Sequence, residues 1–499
     1  MYRSEVNHRL QMEMVWIDEL VPADHPLRLV DAVLDLSWVD GRVAHLYSRE
    51  LGAPNIPPQT VVRLLLAGWL LGTPGLRPLL RRAETDVAVR WFCGYGLTDR
   101  LPDHSSLSKI LKRWGPELFE ELFERSVGQC REGGLVGGET THFDGTLIRA
   151  DVSWKSLTRR YVETVVAEAE AEEGEEAGRR PPPVRFAGKG EKMVRAGKKR
   201  SRTDPDATLA TSRKDHPLQP SYKAHVAVDD RAQVVVAVVT TTGERSESEE
   251  LVGVLEEAEE RSGQRAGVVT ADAGCASGGN YAALEERGQT AVIPPQPEGR
   301  GQKRKDGTVS QVPLRRMKYD PVGDRVVCPR KVVLRRTRTE GEGVWYEAPA
   351  EQCRGCPLFR VCVPPTGRSR RVRIGFGYEA LLRARRAKER GWPAEWEAER
   401  GAHRGKMEGW HGEAKEQHGL RRAVFRGLPK VRMQVWLTAA AMNLKRLAKA
   451  VAGGKEGLAA AGGLGARCRR AKEVVERWFG ALLTVVGRSP GGWAAAARG

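Results

Sequence analysis

The sequence predicts a protein of the α/β (α+β) class, in which a helical N-terminal domain precedes a mixed-sheet domain with a cysteine-bearing insertion. Three observations lead to this prediction. Apolar residues recur at helical spacing through residues 1–135, which is typical of short amphipathic helices. From residue 136 onward, segments rich in Thr, Val and Ile alternate with helical patterns and indicate strands. Four of the eight cysteines then fall within residues 296–375.

The charge of the chain points to an anionic partner. Its 499 residues carry a formal net charge of +18, and a basic excess of this size is typical of proteins that bind nucleic acid. A basic protein without such a partner is the alternative. The N-terminus lacks the apolar core of a secretory signal, and no apolar run is long enough to cross a membrane. We therefore expect a cytoplasmic protein that associates with the nucleoid when it binds DNA.

Residues 1–135 are predicted to form a DNA-binding domain of short helices joined by tight turns. Asp103 caps the start of one helix, and the segment after it places Lys109, Lys112 and Arg113 on the exposed side. Short helices with basic side chains on one face suit a helix-turn-helix-like reader of DNA. A helical bundle without a ligand is the alternative interpretation.

Two aspartates mark the first part of the sheet domain, residues 136–295. Asp144 lies in the strand-like segment ETTHFDGTLIRAD, and Asp272 ends the apolar strand RAGVVTADAGC. A carboxylate in a strand otherwise suited to burial is costly unless a cation pairs with it, and α/β sheets usually place their sites at strand ends. Between the two aspartates, the acidic and then basic composition of residues 155–220 predicts a charged linker.

Residues 296–375 interrupt the sheet domain with a cysteine-containing insertion. Cys353 and Cys356 form a CxxC pair, and Cys328 and Cys362 supply two further thiols. Four thiolates in a short basic stretch suit a structural zinc ion. Their spacing departs from that of standard zinc ribbons, so free thiols in a loop-rich subdomain are the alternative.

The second part of the sheet domain, residues 376–450, carries a charged helix over residues 403–423. Arg404, Glu408 and Lys415 are four and seven residues apart, so they fall on one stripe of that helix and two cations bracket one carboxylate. A solvated, salt-bridged face is the plain interpretation of this pattern. Its position downstream of two strand-borne aspartates favours a functional one.

Other residues near these motifs have competing interpretations. Glu413 is the rival carboxylate, but it lies about 140° round the helix from Glu408. Trp410 is interpreted as core rather than as a platform for an unpaired base. The remaining polar neighbours are interpreted as turn-forming or flanking residues: Asp229, Asp230, His142 and His411. After this region, the Gly- and Ala-rich residues 451–499 predict a flexible tail.

Two strand-borne aspartates and one helix-borne glutamate form a predicted acidic triad. Three carboxylates that come together repel one another unless divalent cations neutralise them. Such a cluster suits two Mg²⁺ ions that activate a nucleophile and stabilise the leaving oxygen at a phosphate. Lys415 and Arg404 then lie where they can contact the phosphate backbone, and the basic surface adds affinity without sequence choice.

These segments closely resemble those of insertion-sequence transposases of the DDE type over most of residues 10–450. VPADHPLRLVD and PDHSSLSKILKRW are similar to the helical N-terminal domain of that family. HFDGTLIRAD and VVTADAGC resemble the blocks that carry its first and second catalytic aspartates. The spacing Arg404-x3-Glu408-x6-Lys415 matches the Y-R-E-K signature, although Gly401 stands where that signature has Tyr. Cys275 likewise follows the second block where an aromatic residue is frequent.

The resemblance implies a ribonuclease-H-like catalytic domain in which Asp144, Asp272 and Glu408 bind two Mg²⁺ ions, with Mn²⁺ as a substitute. It implies that Arg404 and Lys415 contact double-stranded DNA, both the terminal inverted repeats of the element and the target. Since the chemistry acts on two ends, we expect a homodimer in the DNA complex. The expected enzyme cleaves and joins DNA strands. The alternatives are a nuclease without strand transfer and a transposase-derived DNA-binding protein.

Overall fold

The structure is a computed structural model that describes residues 14–48, 55–152, 157–159, 199–201, 203–210, 218–296, 312, 314–341, 343–364 and 367–453. Helices and strands in this part of the chain confirm the α+β class. Seven helices come first: α1 Pro26–Asp31, α2 Val39–Val43, α3 Pro58–Leu70, α4 Leu76–Thr85, α5 Val87–Cys93, α6 His104–Trp114 and α7 Glu117–Glu132.

The remaining elements form two sheets and the helices that cover them. The first sheet and its helices are β1 Thr140–Arg149, β2 Leu157–Arg159, β3 Lys199–Ser201, β4 Thr208–Ala210, β5 Gln219–Asp229, β6 Val235–Thr242, α8 Glu247–Ser262, β7 Val268–Ala271, α9 Gly278–Glu286 and β8 Thr290–Val292. The later elements are β9 Lys318–Asp320, β10 Arg325–Val327, β11 Val333–Glu340, β12 Gly343–Glu347, α10 Ala350–Arg354, α11 Phe359–Cys362, β13 Arg371–Gly375, α12 Tyr378–Glu389, α13 Ala394–Glu416 and α14 Leu428–Ala452.

Strand β1 lies inside an eight-stranded mixed sheet. The strand order is β2-β3-β4-β5-β1-β7-β8, and β6 pairs with β5. Strand β1 runs antiparallel to β5 and parallel to β7. Strand β1 therefore has a hydrogen-bonded neighbour on each side, and its first four residues, Thr140 to Phe143, pair with β7.

The N-terminal helices share one hydrophobic core with the last described helix, α14. Every residue of α14 from 433 to 444 is buried, and α1, α3, α7 and β6 pack around it. The Asn443 side chain donates to the carbonyl of Val235 and accepts from its N–H, and it also contacts Ser126. Since an unpaired buried amide is costly, these bonds hold α14 in register with the sheet and with α7. The helical region is thus packed directly on the sheet domain.

The cysteine-containing insertion forms a sheet with a core of its own. Strands β9 to β13 make a five-stranded antiparallel sheet in the order β13-β12-β11-β10-β9. Val326, Leu334, Tyr346 and Ile374 are buried in it and form a cluster separate from the main core. The segment predicted as an insertion therefore folds around its own apolar residues.

The ends of the segment predicted as a charged linker, residues 155–220, add strands to the main sheet. Strands β2, β3 and β4 extend the sheet beyond β5, and Leu209 and Ala210 of β4 are buried. A linker was therefore the wrong interpretation for these ends, because short apolar stretches beside the charged run pair with β5. Residues 160–198 lie outside the described residues, as does the predicted tail after residue 453.

Candidate active site

Two parallel strands bring the predicted aspartates to the same edge of the sheet. Phe143 of β1 is in register with Ala271, the last residue of β7; Asp144 follows Phe143 within β1, and Asp272 is the first residue after β7. Neighbouring strands lie about 4.8 Å apart, and residues in register point to the same face. The carboxylates of Asp144 and Asp272 therefore lie close enough for the charge of one to act on the other.

Helix α13 covers this face of the sheet. Its buried stripe consists of His403, Met407, Trp410 and Ala414, which repeat at the three- and four-residue spacing of one helix face. The partly buried His411 lies beside that stripe, and its Nε2 donates to Asp144 Oδ2 at 2.9 Å. A helix that carries charge on one side is thus held to the sheet by apolar residues and histidines.

The two aspartates have different electrostatic environments. Burial would raise the pKa of Asp144, but the hydrogen bond and charge of His411 and the bond from the Gly145 N–H outweigh it and lower that pKa. Partial desolvation raises the pKa of Asp272, and the nearby charge of Asp144 raises it further. The repulsion between the two carboxylates is what a divalent cation relieves, so the pair fits a metal site.

Glu247 is a third carboxylate at this edge, and the sequence analysis missed it. It is the first residue of α8, and its side chain lies against the backbone of both aspartate-bearing segments. A Cβ placed on Gly145 would be 2.5 Å from Glu247 Oε1, and one placed on Gly274 would be 3.8 Å from Oε2. Burial raises the pKa of Glu247, and the charges of Asp144 and Asp272 raise it further. The ammonium of Lys223, whose Nζ lies 3.5 Å from Glu247 Oε1, lowers it in part.

Gly145→Ala should destabilise the protein, because the new methyl group meets the Glu247 side chain. We expect a loss of about 1–3 kcal/mol in the free energy of unfolding, as for other over-packed sites. Urea unfolding of the full chain measures it. Gly253→Ala in α8 is the matched control, since a Cβ there has no heavy atom within 4 Å. Equal stability of the two variants would show that Glu247 does not approach Gly145.

The predicted charged stripe lies along the exposed edge of α13. Arg404 Nε donates to Glu408 Oε1 at 3.0 Å, and both side chains are exposed, Glu408 by 68%. Desolvation and the charge of Asp144 raise the pKa of Asp272, and the charge of Arg404 partly offsets this rise. Lys415 is partly buried; burial and Arg421 lower its pKa, and the charge of Asp144 opposes them. The charge of Arg404 thus acts on Asp272, and that of Asp144 acts on Lys415, while Glu408 hydrogen-bonds to Arg404.

The two competing residues on α13 have structural roles. Glu413 accepts hydrogen bonds from Lys445 and Arg446 of α14. Burial would raise the pKa of Glu413, but the hydrogen bond from His418 and these two cations hold it well below its usual range. Trp410 is 1% exposed, which confirms the core interpretation. Glu413 therefore ties α13 to α14, on the side of the helix that the angular argument indicates.

A hydrogen-bonded chain of buried side chains runs from α13 through the sheet and back. His403 Nδ1 lies 2.9 Å from Thr270 Oγ1, which lies 2.6 Å from His142 Nδ1. His142 Nε2 donates to Asp230 Oδ1 at 2.8 Å, and Lys406 of α13 pairs with the same carboxylate. Asp229 forms the predicted hairpin turn by accepting from backbone N–H groups. Asp230 lies in the turn, as predicted, and its carboxylate also takes part in these hydrogen bonds.

His142, Asp230 and Glu399 also offer donor atoms that lie within 4.8 Å of one another, a spacing that could hold a metal ion. The ammonium of Lys406 already neutralises Asp230 in this cluster. The ammonium of Lys406 thus supplies the positive charge that a metal ion would supply there. We interpret the cluster as a structural link between α13 and the sheet.

The basic residues predicted to read DNA lie on α6. Lys109 and Lys112 are exposed, opposite the buried Leu107, Ile110 and Leu111 of the same helix. Arg113 is exposed as well, but its guanidinium lies 5.0 Å from the centre of the Tyr47 ring. The predicted helix cap is confirmed, since Asp103 accepts from the N–H groups of Ser105 and Ser106.

The four cysteines of the insertion lie near enough for the other three thiols to act on Cys362. Cys353 is buried, and Cys328, Cys356 and Cys362 are partly buried. Burial raises the pKa of Cys362, and the charges of the other three thiols raise it further. The charge of Arg370 lowers it in part. Among the described residues, the four thiols do not form a group as tight as the histidine–carboxylate cluster.

Comparison with known families assigns both ends of this architecture. A transposase domain (DUF772) matches residues 15–113, and a transposase DDE domain matches residues 327–448. The second match includes the four cysteines, Glu408 and Lys415. Together the two matches support an insertion-sequence DDE transposase. A search of curated proteins found no match.

The transposase DDE match supports a polynucleotidyl-transfer enzyme, and it implies the use of a divalent metal ion and binding to DNA. The transposase DDE match covers α13 and α14, and the strands that the fold places beside them carry Asp144 and Asp272. Within the described residues, no helix is both long and apolar enough to cross a membrane.

Proposed function

We propose that this transposase binds the terminal inverted repeats of its insertion sequence and catalyses both strand cleavage and strand transfer. The observation that carries the proposal is that Asp144 and Asp272 each follow a register-paired residue of the adjacent parallel strands β1 and β7, beside the helix that bears Glu408. The order and last spacing of these residues further support a transposase of the Y-R-E-K signature type. The catalytic domain is then ribonuclease-H-like.

Asp144, Asp272 and Glu408 would hold the metal ions. Two Mg²⁺ ions, for which Mn²⁺ can substitute, supply an activated water or 3′-hydroxyl and stabilise the leaving oxygen when bound. The raised pKa of Asp272 beside Asp144 supports this assignment, since it reflects a repulsion that cations remove. Glu247, whose side chain approaches Gly145 and Gly274 and whose pKa the charges of both aspartates raise, is a candidate for a supporting carboxylate.

Arg404 and Lys415 would bind the phosphate groups of the DNA strand in the site. Both side chains lie on the stripe of α13 beside Asp144 and Asp272, and a guanidinium can contact a phosphate through two hydrogen bonds. When Arg404 turns to a phosphate, Glu408 loses its present partner and is released toward the aspartates. DNA binding by Arg404 would therefore complete the acidic triad, which couples substrate binding to assembly of the site.

The N-terminal helices would supply affinity for the element ends. Lys109, Lys112 and Arg113 of α6 form one exposed basic face, as a phosphate-contacting helix requires. A homodimer is the expected form in the DNA complex, because transposition acts on two ends of the element.

Cleavage and joining of labelled element-end DNA test the proposal. The full chain, Mg²⁺, a duplex with the terminal repeat and a supercoiled target should give nicked ends and then joined products. Cleavage without joined product would favour a nuclease. A stable complex that never cuts, with either Mg²⁺ or Mn²⁺, would favour a transposase-derived DNA-binding protein, and either result would overturn the proposal.

We also propose that Cys328, Cys353, Cys356 and Cys362 bind one structural zinc ion. Four thiolates satisfy tetrahedral zinc, and their mutual proximity raises the energy of the charged thiols without it. Purified full chain should contain about one zinc by mass spectrometry, and Cys353→Ser with Cys356→Ser should lose it. Cys130→Ser, in the main core, is the control. A wild-type chain without zinc, purified without chelators, would contradict the assignment.

A further inference from the structure

The hydrogen-bonded network of buried side chains beneath the site determines which nitrogen of His403 carries a proton. Asp230 is an ionised carboxylate paired with Lys406, so it only accepts, and His142 must donate to it from Nε2. The Nδ1 atom of a neutral His142 is then an acceptor. The Thr270 hydroxyl has one proton, and it donates this proton to His142 Nδ1.

The same logic continues to His403. Because the Thr270 hydroxyl has given its proton to His142, its oxygen accepts from His403 Nδ1–H. A neutral His403 therefore presents a lone pair at Nε2. That atom lies 3.9 Å from Asp272 Oδ1, and Asp272 itself lies near Asp144. The chain thus holds an unprotonated imidazole nitrogen beside a carboxylate of the site.

We propose that His403 Nε2 is a nitrogen ligand of the metal ion bound at Asp272. Two donor atoms that each lie about 2.1 Å from one ion are separated by about 3–4 Å, so the observed distance suits a shared ion. A ligating histidine usually donates its other ring N–H to a fixed acceptor, and Thr270 is that acceptor. This assignment rests on the proposed function, because it assumes that Asp272 binds a catalytic cation.

The same hydrogen-bonded network explains why the His403 imidazole would be a rigid ligand. His403 is 5% exposed, and Lys406, three residues further along α13, is anchored at the other end of the same hydrogen-bonded loop. Residues three apart lie on one side of a helix. The sheet therefore holds α13 at two points, and the Nε2 atom has little freedom to leave Asp272.

Manganese binding by the full chain tests this ligand without an activity measurement. Bound Mn²⁺ should show nitrogen modulation in pulsed electron paramagnetic resonance, and His403→Gln should remove it and weaken binding about tenfold or more. His45→Gln, at an exposed position, should leave both unchanged. Unchanged modulation in His403→Gln would overturn the assignment, since the nitrogen would then belong to another residue such as His411.

Thr270 provides a second pair of variants in case His403→Gln fails to fold. Thr270→Val keeps the shape of the side chain but removes the hydroxyl, and should weaken Mn²⁺ binding about tenfold. Thr270→Ser restores the hydroxyl and should bind Mn²⁺ within about twofold of the wild type. Equal affinity of all three proteins would overturn the proposal. Absence of Mn²⁺ binding by the wild type with DNA present would instead contradict the proposed metal site itself.

Discussion

Asp144→Asn and Asp272→Asn should each abolish strand cleavage while leaving binding to element-end DNA intact. The substitution keeps the size of the side chain but removes the charge that holds a divalent cation. We expect the cleavage rate to fall at least about a thousandfold, which corresponds to about 4 kcal/mol of transition-state stabilisation. Single-turnover cleavage with Mg²⁺, together with a gel-shift measurement of binding, gives both quantities.

Asp24→Asn is the control for the loss of one negative charge, since Asp24 is exposed in the N-terminal region. It should cleave at the wild-type rate. A retained rate in either Asp144→Asn or Asp272→Asn would remove that residue from the metal site. Loss of DNA binding together with loss of cleavage would instead show that the substitution disturbs the fold, which thermal unfolding of the same samples detects.

Glu408→Gln should have an effect of similar size, although Glu408 pairs with Arg404 in the present structure. The prediction follows from its place on the exposed stripe of α13 beside Arg404, whose charge acts on Asp272, and Lys415. We expect cleavage to fall at least about a thousandfold with little change in stability, because the side chain is exposed. The rate of cleavage and the free energy of unfolding should be measured on the same preparation.

Glu413→Gln is the matched control on the same helix. It should lower stability by about 1–3 kcal/mol, because Lys445 and Arg446 lose a charged partner, and it should retain cleavage. Glu247→Gln completes the series. If Glu408→Gln cuts normally while Glu247→Gln does not, the third catalytic carboxylate is on α8, and the triad inferred from sequence spacing is wrong.

The part of the site that could be predicted came from residues that are unusual in their local setting. Asp144 and Asp272 are carboxylates at apolar strands, where burial without a partner is costly. Glu408 stood out because two cations at helical spacing bracket it. These signals are local in sequence, and the structure confirms that Asp144 and Asp272 lie together. The catalytic roles of Asp144, Asp272 and Glu408 are still predictions.

The part that could not be predicted has no local signal. Glu247 begins a helix beside Glu249 and Glu250, and the sequence does not distinguish the one that points into the site from those that face solvent. Thr270 and His403 are 133 residues apart, and each looks like an ordinary buried residue. Asp230 fits a hairpin turn, and only the approach of α13 reveals its pairing with Lys406.

The sequence by itself determined the chemistry and the elements: a basic chain, strand-borne aspartates, a charged helix and four clustered cysteines. Helical and strand periods repeat over a few residues, and the type of each side chain is written in the sequence. Only the tertiary structure decided which side chains meet. It packed the N-terminal helices on α14, turned the ends of the charged linker into strands and joined α13 to the sheet through His403 and Lys406. Such contacts depend on pairing between distant segments, and that pairing is set by the fold as a whole.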